Sequence, residues 1–213
     1  MISALMSENN AINSLIHWGV ASRTRPGQNL SGDLHLILPG EDSTLVAVVD
    51  GVGHGNEANE AASRAIELLN KYTGESVIWL AEHCHAALRS TRGVVMTIAV
   101  FDSRESTVTT LGIGNVESVL LRASPSANPS RETVLLRSGV VGYQLPSLHA
   151  SVYPLYRGDL LVFGTDGVKP SFADRVNLSE PLQPMAERML EQNFRGNDDA
   201  LVLTIRYLGP SRA

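Results

Sequence analysis

Residues 44–55 read TLVAVVDGVGHG, and residues 56–69 continue as NEANEAASRAIELL. Thr44 to Val49 is an uninterrupted apolar and β-branched run, the pattern of a strand covered on both faces. Asp50-Gly51 ends it in a glycine-rich turn. Ala58, Ala61, Ala62, Ala65, Ile66 and Leu69 then recur at helical spacing, with Glu57 and Glu60 at the positive end of the helix. The spacing predicts a helix from Asn56 to about Tyr72, with Gly74 placed to stop it. A carboxylate thus stands at the mouth of a core strand, directly before a helix.

The same placement recurs outward from this stretch. Asp166-Gly167 follows the buried run LLVFGT, Asp198-Asp199 precedes LVLTIRY, and Asp33, in Ser31-Gly32-Asp33, precedes LHLIL. Strands are expected at His17–Ser22, Leu34–Leu38, Thr44–Val49, Val94–Phe101, Thr107–Leu111, Val116–Arg122, Thr133–Leu136, Leu160–Phe163 and Leu201–Tyr207. Helices are expected over about 75–90 and 181–193, and a polar loop over Ala123–Arg131. Strands in meander order with a helical pair inserted predict an α+β fold, antiparallel sheets with helices packed outside. Residues 1–12 are polar and read as a flexible N-terminus, leaving 13–213 as a single domain.

The chain has 213 residues, 17 basic against 22 acidic, a formal charge of −5, and 43% hydrophobic content. That is enough apolar content for one core. A mildly acidic chain lacks the basic face that nucleic acid or an anionic membrane requires. The single cysteine, Cys84, forms no internal disulfide and falls on the apolar stripe of its helix as a small core residue. No apolar run is long enough to span a bilayer, and no secretory leader is visible, so a cytoplasmic location is expected.

If the sheets bring those strand ends together, Asp33, Asp50, Asp166 and Asp198 converge. Close like charges repel, and the remedies are protonation or bound cations. An all-carboxylate, water-rich site suits Mg²⁺ or Mn²⁺, whereas no Cys–His spacing suggests structural zinc. The competing reading is plain: Asp-Gly is a common turn dipeptide, and Asp-Asp before a strand is a common solvated cap. Joint placement at the ends of core strands favours the site.

In order, Ser31-Gly32-Asp33, Asp50-Gly51-Val52-Gly53-His54-Gly55, Gly164-Thr165-Asp166-Gly167 and Asn197-Asp198-Asp199 resemble the PPM, or type 2C, metal-dependent protein serine/threonine phosphatases. The likeness is to their bacterial SpoIIE-like branch, and within it to small phosphatases acting on the stressosome. Gly112-Ile113-Gly114-Asn115-Val116-Glu117 also matches that group, and the resemblance runs from about His17 to Leu208. It implies an αββα sandwich with two Mn²⁺ or Mg²⁺ ions, a third and weaker ion being allowed. Asp50 would bridge the two ions and the Gly51 carbonyl would bind one. Asp166 and Asp198 would hold the other, with Asp33 beside the centre as a ligand through water or a hydrogen-bond acceptor. Asp199 would be supporting. Water activated between the ions would attack phosphorus directly, without a covalent phosphoenzyme.

The implied substrates are phosphoserine and phosphothreonine on STAS-domain stressosome proteins, and the expected state is a monomer. Little length remains outside the catalytic domain, which predicts control by partners. Arg23, Arg25 and His54 are candidates to contact the substrate phosphate. The residue after Asp50-Gly51 is Val52, where many eukaryotic relatives carry a histidine, so no general acid is assigned. VVDGVGHG is a poor dinucleotide loop, because its glycines run G-x-G-x-G and no βαβ alternation follows. The same fold with a weak or inactive metal site would instead be a binding module in a partner-switching complex.

Overall fold

The computed structural model describes residues 15–71 and 74–210. The expected N-terminal tail, residues 1–12, and the expected helix end at Tyr72 lie outside the described residues.

Two antiparallel-rich sheets stack face to face. The first contains β1 (Ile16–Arg23), β11 (Ala200–Tyr207), β10 (Leu160–Gly164), β6 (Glu117–Leu121) and β7 (Arg131–Thr133), in that order. The second runs β2 (Asp33–Pro39), β3 (Ser43–Gly51), β4 (Val94–Asp102), β5 (Thr107–Ile113) and β8 (Leu136–Arg137), with β9 (Ser151–Pro154) also pairing β5. Helices α1 (Asn56–Leu69) and α2 (Val77–Ala87) cover the second sheet, and α3 (Leu182–Asn193) covers the first.

Three buried clusters correspond to the three interfaces between these four layers. Ala47, Val49, Met96 and Ile98 face α1 and α2. Their alternates Val46, Val48 and Ala99 point the other way, meeting Phe163, Leu203 and Ile205 between the sheets. Val162 and Val202 face Met185, Ala186 and Met189 of α3. A strand buried on both faces is largely apolar at successive positions, which explains the runs Leu45–Val49 in β3, Leu160–Phe163 in β10 and Ala200–Leu203 in β11. The α+β expectation and the αββα sandwich are both borne out.

Some elements differ from expectation. The strand expected over Thr133–Leu136 is split: β7 ends at Thr133 and joins the first sheet, whereas β8 begins at Leu136 and pairs in parallel with β5 of the second. Val134 between them is buried in the core between the sheets. The α1 helix ends at Leu69, with the Asn70 N–H donating to the Ile66 carbonyl and the Lys71 N–H to that of Leu68. A short 3₁₀ turn, Pro170–Ala173, was not expected, and it buries Phe172 and Ala173 against α3.

Candidate metal centre

The topology brings the four strand ends to one mouth. Asp33 opens β2 and Asp50 lies near the end of β3, and the two are paired directly across the ladder. Asp166 follows β10, and Asp198-Asp199 precede β11, the neighbouring strand. The residues that sequence placed on four separate strands therefore lie together at one end of the sandwich, close enough for their charges to act on one another.

Glycine is required here for close approach rather than for turn geometry. Gly51 and Gly167 are both absent from the positive-φ residues. A Cβ on Gly51 would stand 2.0 Å from the Ala58 carbonyl oxygen, and one on Gly167 would stand 1.9 Å from that of Asp199. The first contact seats α1 against the Asp50 turn, and the second locks the Asp166 turn onto the Asp198-Asp199 segment. This separates both Asp-Gly pairs from ordinary surface turns.

The carboxylates differ in surroundings. Asp33 is buried and accepts a 2.6 Å hydrogen bond from the Thr165 hydroxyl, which itself accepts from the Leu201 N–H. Asp199 is also buried, and its two oxygens accept from the Arg25 and Gly32 N–H groups, each at 2.7 Å. It braces the β1–β2 connection against β11, the supporting place expected for it. Asp50 and Asp198 are half-buried and Asp166 is exposed. Asp166 accepts a 2.8 Å bond from the Asn115 side-chain amide.

Among the described residues no lysine or arginine forms an ion pair with any of the five. Burial, reinforced by the charges of Asp33, Asp166, Asp198 and Asp199, pushes the Asp50 carboxyl up to about 9. Burial raises Asp33 to about 7, opposed by the Thr165 hydrogen bond and aided by Asp199, Asp166 and Asp198. Asp166 is raised by burial and by Asp198, against the Asn115 bond and the charge of Arg195. The mouth therefore holds a surplus of negative charge that only protons or cations can relieve.

This donor set fits hard divalent ions. Every side-chain donor is an oxygen, and the least buried three, Asp50, Asp166 and Asp198, face solvent that can complete a coordination sphere. Among the described residues no three His, Cys, Asp or Glu side chains close around a single point.

Of the other candidates, Arg23 places its guanidinium 4.9 Å from the centre of the Phe194 ring. Arg25 reaches the site through its backbone N–H. His54 is exposed in the glycine loop. Burial pushes the Cys84 thiol up to about 12, in keeping with a packing role. Sequence reasoning assigned no role to Thr165 or Asn115, although both lie inside the quoted motifs.

Known proteins share this fold. Residues 40–208 match the family model of stage II sporulation protein E (SpoIIE). The phosphoserine phosphatase RsbX of Bacillus subtilis is 23% identical over 200 residues, covering 91% of this chain and 94% of RsbX. A chain solved in work on the bacterial stressosome, as a modular system adapted to control secondary messenger signalling, is 28% identical with a TM-score of 0.81. It covers 90% of this chain and 99% of its own. RsbX in complex with magnesium superposes with a TM-score of 0.80 at 22% identity, covering 94% and 98%. The chain belongs to the SpoIIE family, a bacterial branch of the PPM protein serine/threonine phosphatases.

Proposed function

We propose that residues 13–213 act as one metal-dependent phosphatase domain that removes phosphate from phosphoserine and phosphothreonine on STAS-domain proteins of a stressosome-like complex, resetting the signal. The observation that carries this reading is the convergence of Asp33, Asp50, Asp166 and Asp198 at one mouth, with two carboxyls pushed far above their ordinary range. Similarity to RsbX and to the stressosome chain supports the substrate class. The protein works as a cytoplasmic monomer in this reading.

Asp50, the Gly51 carbonyl, Asp166 and Asp198 would hold Mn²⁺ or Mg²⁺ in this reading. Mn²⁺ or Mg²⁺, when bound, supplies charge neutralisation for the phosphate and lowers the pKa of water. Asp33 is held by Thr165 behind this group and orients water by accepting its hydrogen bond. Asn115 fixes the rotamer of Asp166, and Asp199 fixes the loop that carries Arg25. Committed to cations, none of these carboxylates is free to attack phosphorus, so the chain needs no covalent intermediate.

The test is phosphate release from a phosphorylated RsbS- or RsbR-type STAS protein, with Mn²⁺ or with chelator. Release should require the metal and fall more than about a hundredfold in Asp50→Ala. Equal release with chelator, or an unaffected variant, would sink the mechanism. Tight binding of the phosphoprotein without any turnover would point instead to a binding module.

A further inference from the structure

One rim of the mouth is built from segments that the metal-holding groups do not explain. The Val52 N–H, next to the Asp50-Gly51 turn, donates to the Gly93 carbonyl at 3.0 Å. Val94 exchanges two backbone hydrogen bonds with Val141, at 2.9 and 2.8 Å. Gly51 pairs with Val94 on its other side, so Val141 stands two strand spacings, roughly 10 Å, from Gly51. The tight hairpin Val140–Gln144 continues from there, closed by bonds between Val140 and Gln144.

This hairpin is rigidly seated. The Gly142 N–H donates to His85 Nδ1 of α2 at 3.0 Å. Gly142 has φ +100°, and a Cβ there would meet Leu88 at 2.9 Å. Such anchoring presents the next residue, Tyr143, outward: it is 82% exposed, the most exposed large apolar side chain of the described residues. Val52, 37% exposed, stands at the inner end of the same rim.

Arg92 precedes Gly93, whose carbonyl accepts from the Val52 N–H. The Arg92 guanidinium sits where a side chain on Gly53 would be, 2.7 Å from that position, and it pairs with Glu57. Half of the Arg92 side chain remains exposed. The chain is acidic overall and its mouth carries unpaired carboxylates, so an exposed cation at the rim favours the approach of an acidic segment. A fixed aromatic ring, an exposed aliphatic group and a rim arginine are the elements of a small protein-recognition patch.

Resting on the phosphatase reading above, we infer that Val52, Arg92 and Tyr143 form a docking lip for the polypeptide flanking the phosphorylated residue of a protein substrate. Arg92 takes an acidic group of that segment, displacing Glu57, and Tyr143 and Val52 cover an apolar one. Arg92 and Tyr143 act in specificity and are not catalytic residues.

The test is titration of a phosphorylated STAS-domain protein into the Asp50→Asn chain, alone and with Tyr143→Ala, Arg92→Ala or Tyr143→Phe added. Kd should rise about tenfold with each alanine and stay near the parent value with Tyr143→Phe, since the ring makes the contact. A Kd within about twofold of the parent in both alanine variants, or no binding by the parent, would overturn the lip. Hydrolysis of p-nitrophenyl phosphate by the otherwise native chain is followed separately. Its failure with Mn²⁺ would count against the phosphatase reading, while the titration still decides the lip.

Discussion

Asp33 and Asp50 face each other across β2 and β3 in a pocket that raises both carboxyls, and this gives the metal-free protein a definite response to pH. The ordinary value for each is 3.8, and the folded values are about 7 and about 9. Between these limits the folded chain keeps protons that the unfolded chain has shed. The stabilising contribution is complete below pH 3.8 and disappears as pH rises through the folded values. Thermal unfolding with chelator should therefore show Tm falling as pH rises from about 4 to about 9, and saturating Mg²⁺ should remove most of that slope. By the same reasoning Asp50→Asn should raise the metal-free Tm at pH 8 by about 3–6 °C, while abolishing activity. Thr165→Val removes a donor from buried Asp33 and leaves the Leu201 N–H without its acceptor. It should cost about 1–3 kcal/mol in denaturant unfolding. At this scale the aspartates were readable because each stood beside an apolar run. Thr165 and Asn115 were not, because their partners lie 132 and 51 residues away and no local pattern marks such a bond.

Among the elements, the strands that position the site were the easiest to recognise. β3, β10 and β11 are covered on both faces, and their apolar runs of four or five residues follow from that burial. The strand β9 carried no such signal: its residues alternate between half-buried and exposed, it ends in proline, and it depends on β5, more than forty residues earlier. The split of β7 from β8 was hidden for a related reason, since Val134 looks the same whether it continues a strand or turns inward between two sheets. The close approach of the Asp166 turn to the last strand could not be foreseen, yet it is testable. Gly167→Ala forces a methyl group to within 1.9 Å of a backbone oxygen, so the turn must move. Loss of about 2 kcal/mol or more is expected by calorimetry, together with weakened metal binding. Gly196→Ala, where a Cβ meets nothing, should leave metal affinity within about twofold despite its strained φ of +78°.

Across the whole molecule, charge is treated in opposite ways at the two ends of β10. At its start, Asp159 is fully buried but satisfied: it accepts from Arg122 at 2.9 Å and from the Ala123 and Tyr156 N–H groups. At its end, the carboxylates around Asp166 crowd together without a cationic side chain paired to them. One end is neutralised by its partners and the other is left without a paired cation. Asp159→Ala should therefore destabilise the fold by about 3 kcal/mol or more, leaving Arg122 short of a partner, yet barely change metal affinity of the folded fraction. The central claim, that the mouth carboxylates give up protons to take divalent ions, is tested most directly by titrating Mn²⁺ into the metal-free chain at pH 7 by calorimetry in buffers of different ionisation enthalpy. About two ions should bind with release of about one proton or more, and Asp50→Asn should lose most of that binding. Binding without proton release, or binding undiminished in Asp50→Asn, would contradict it.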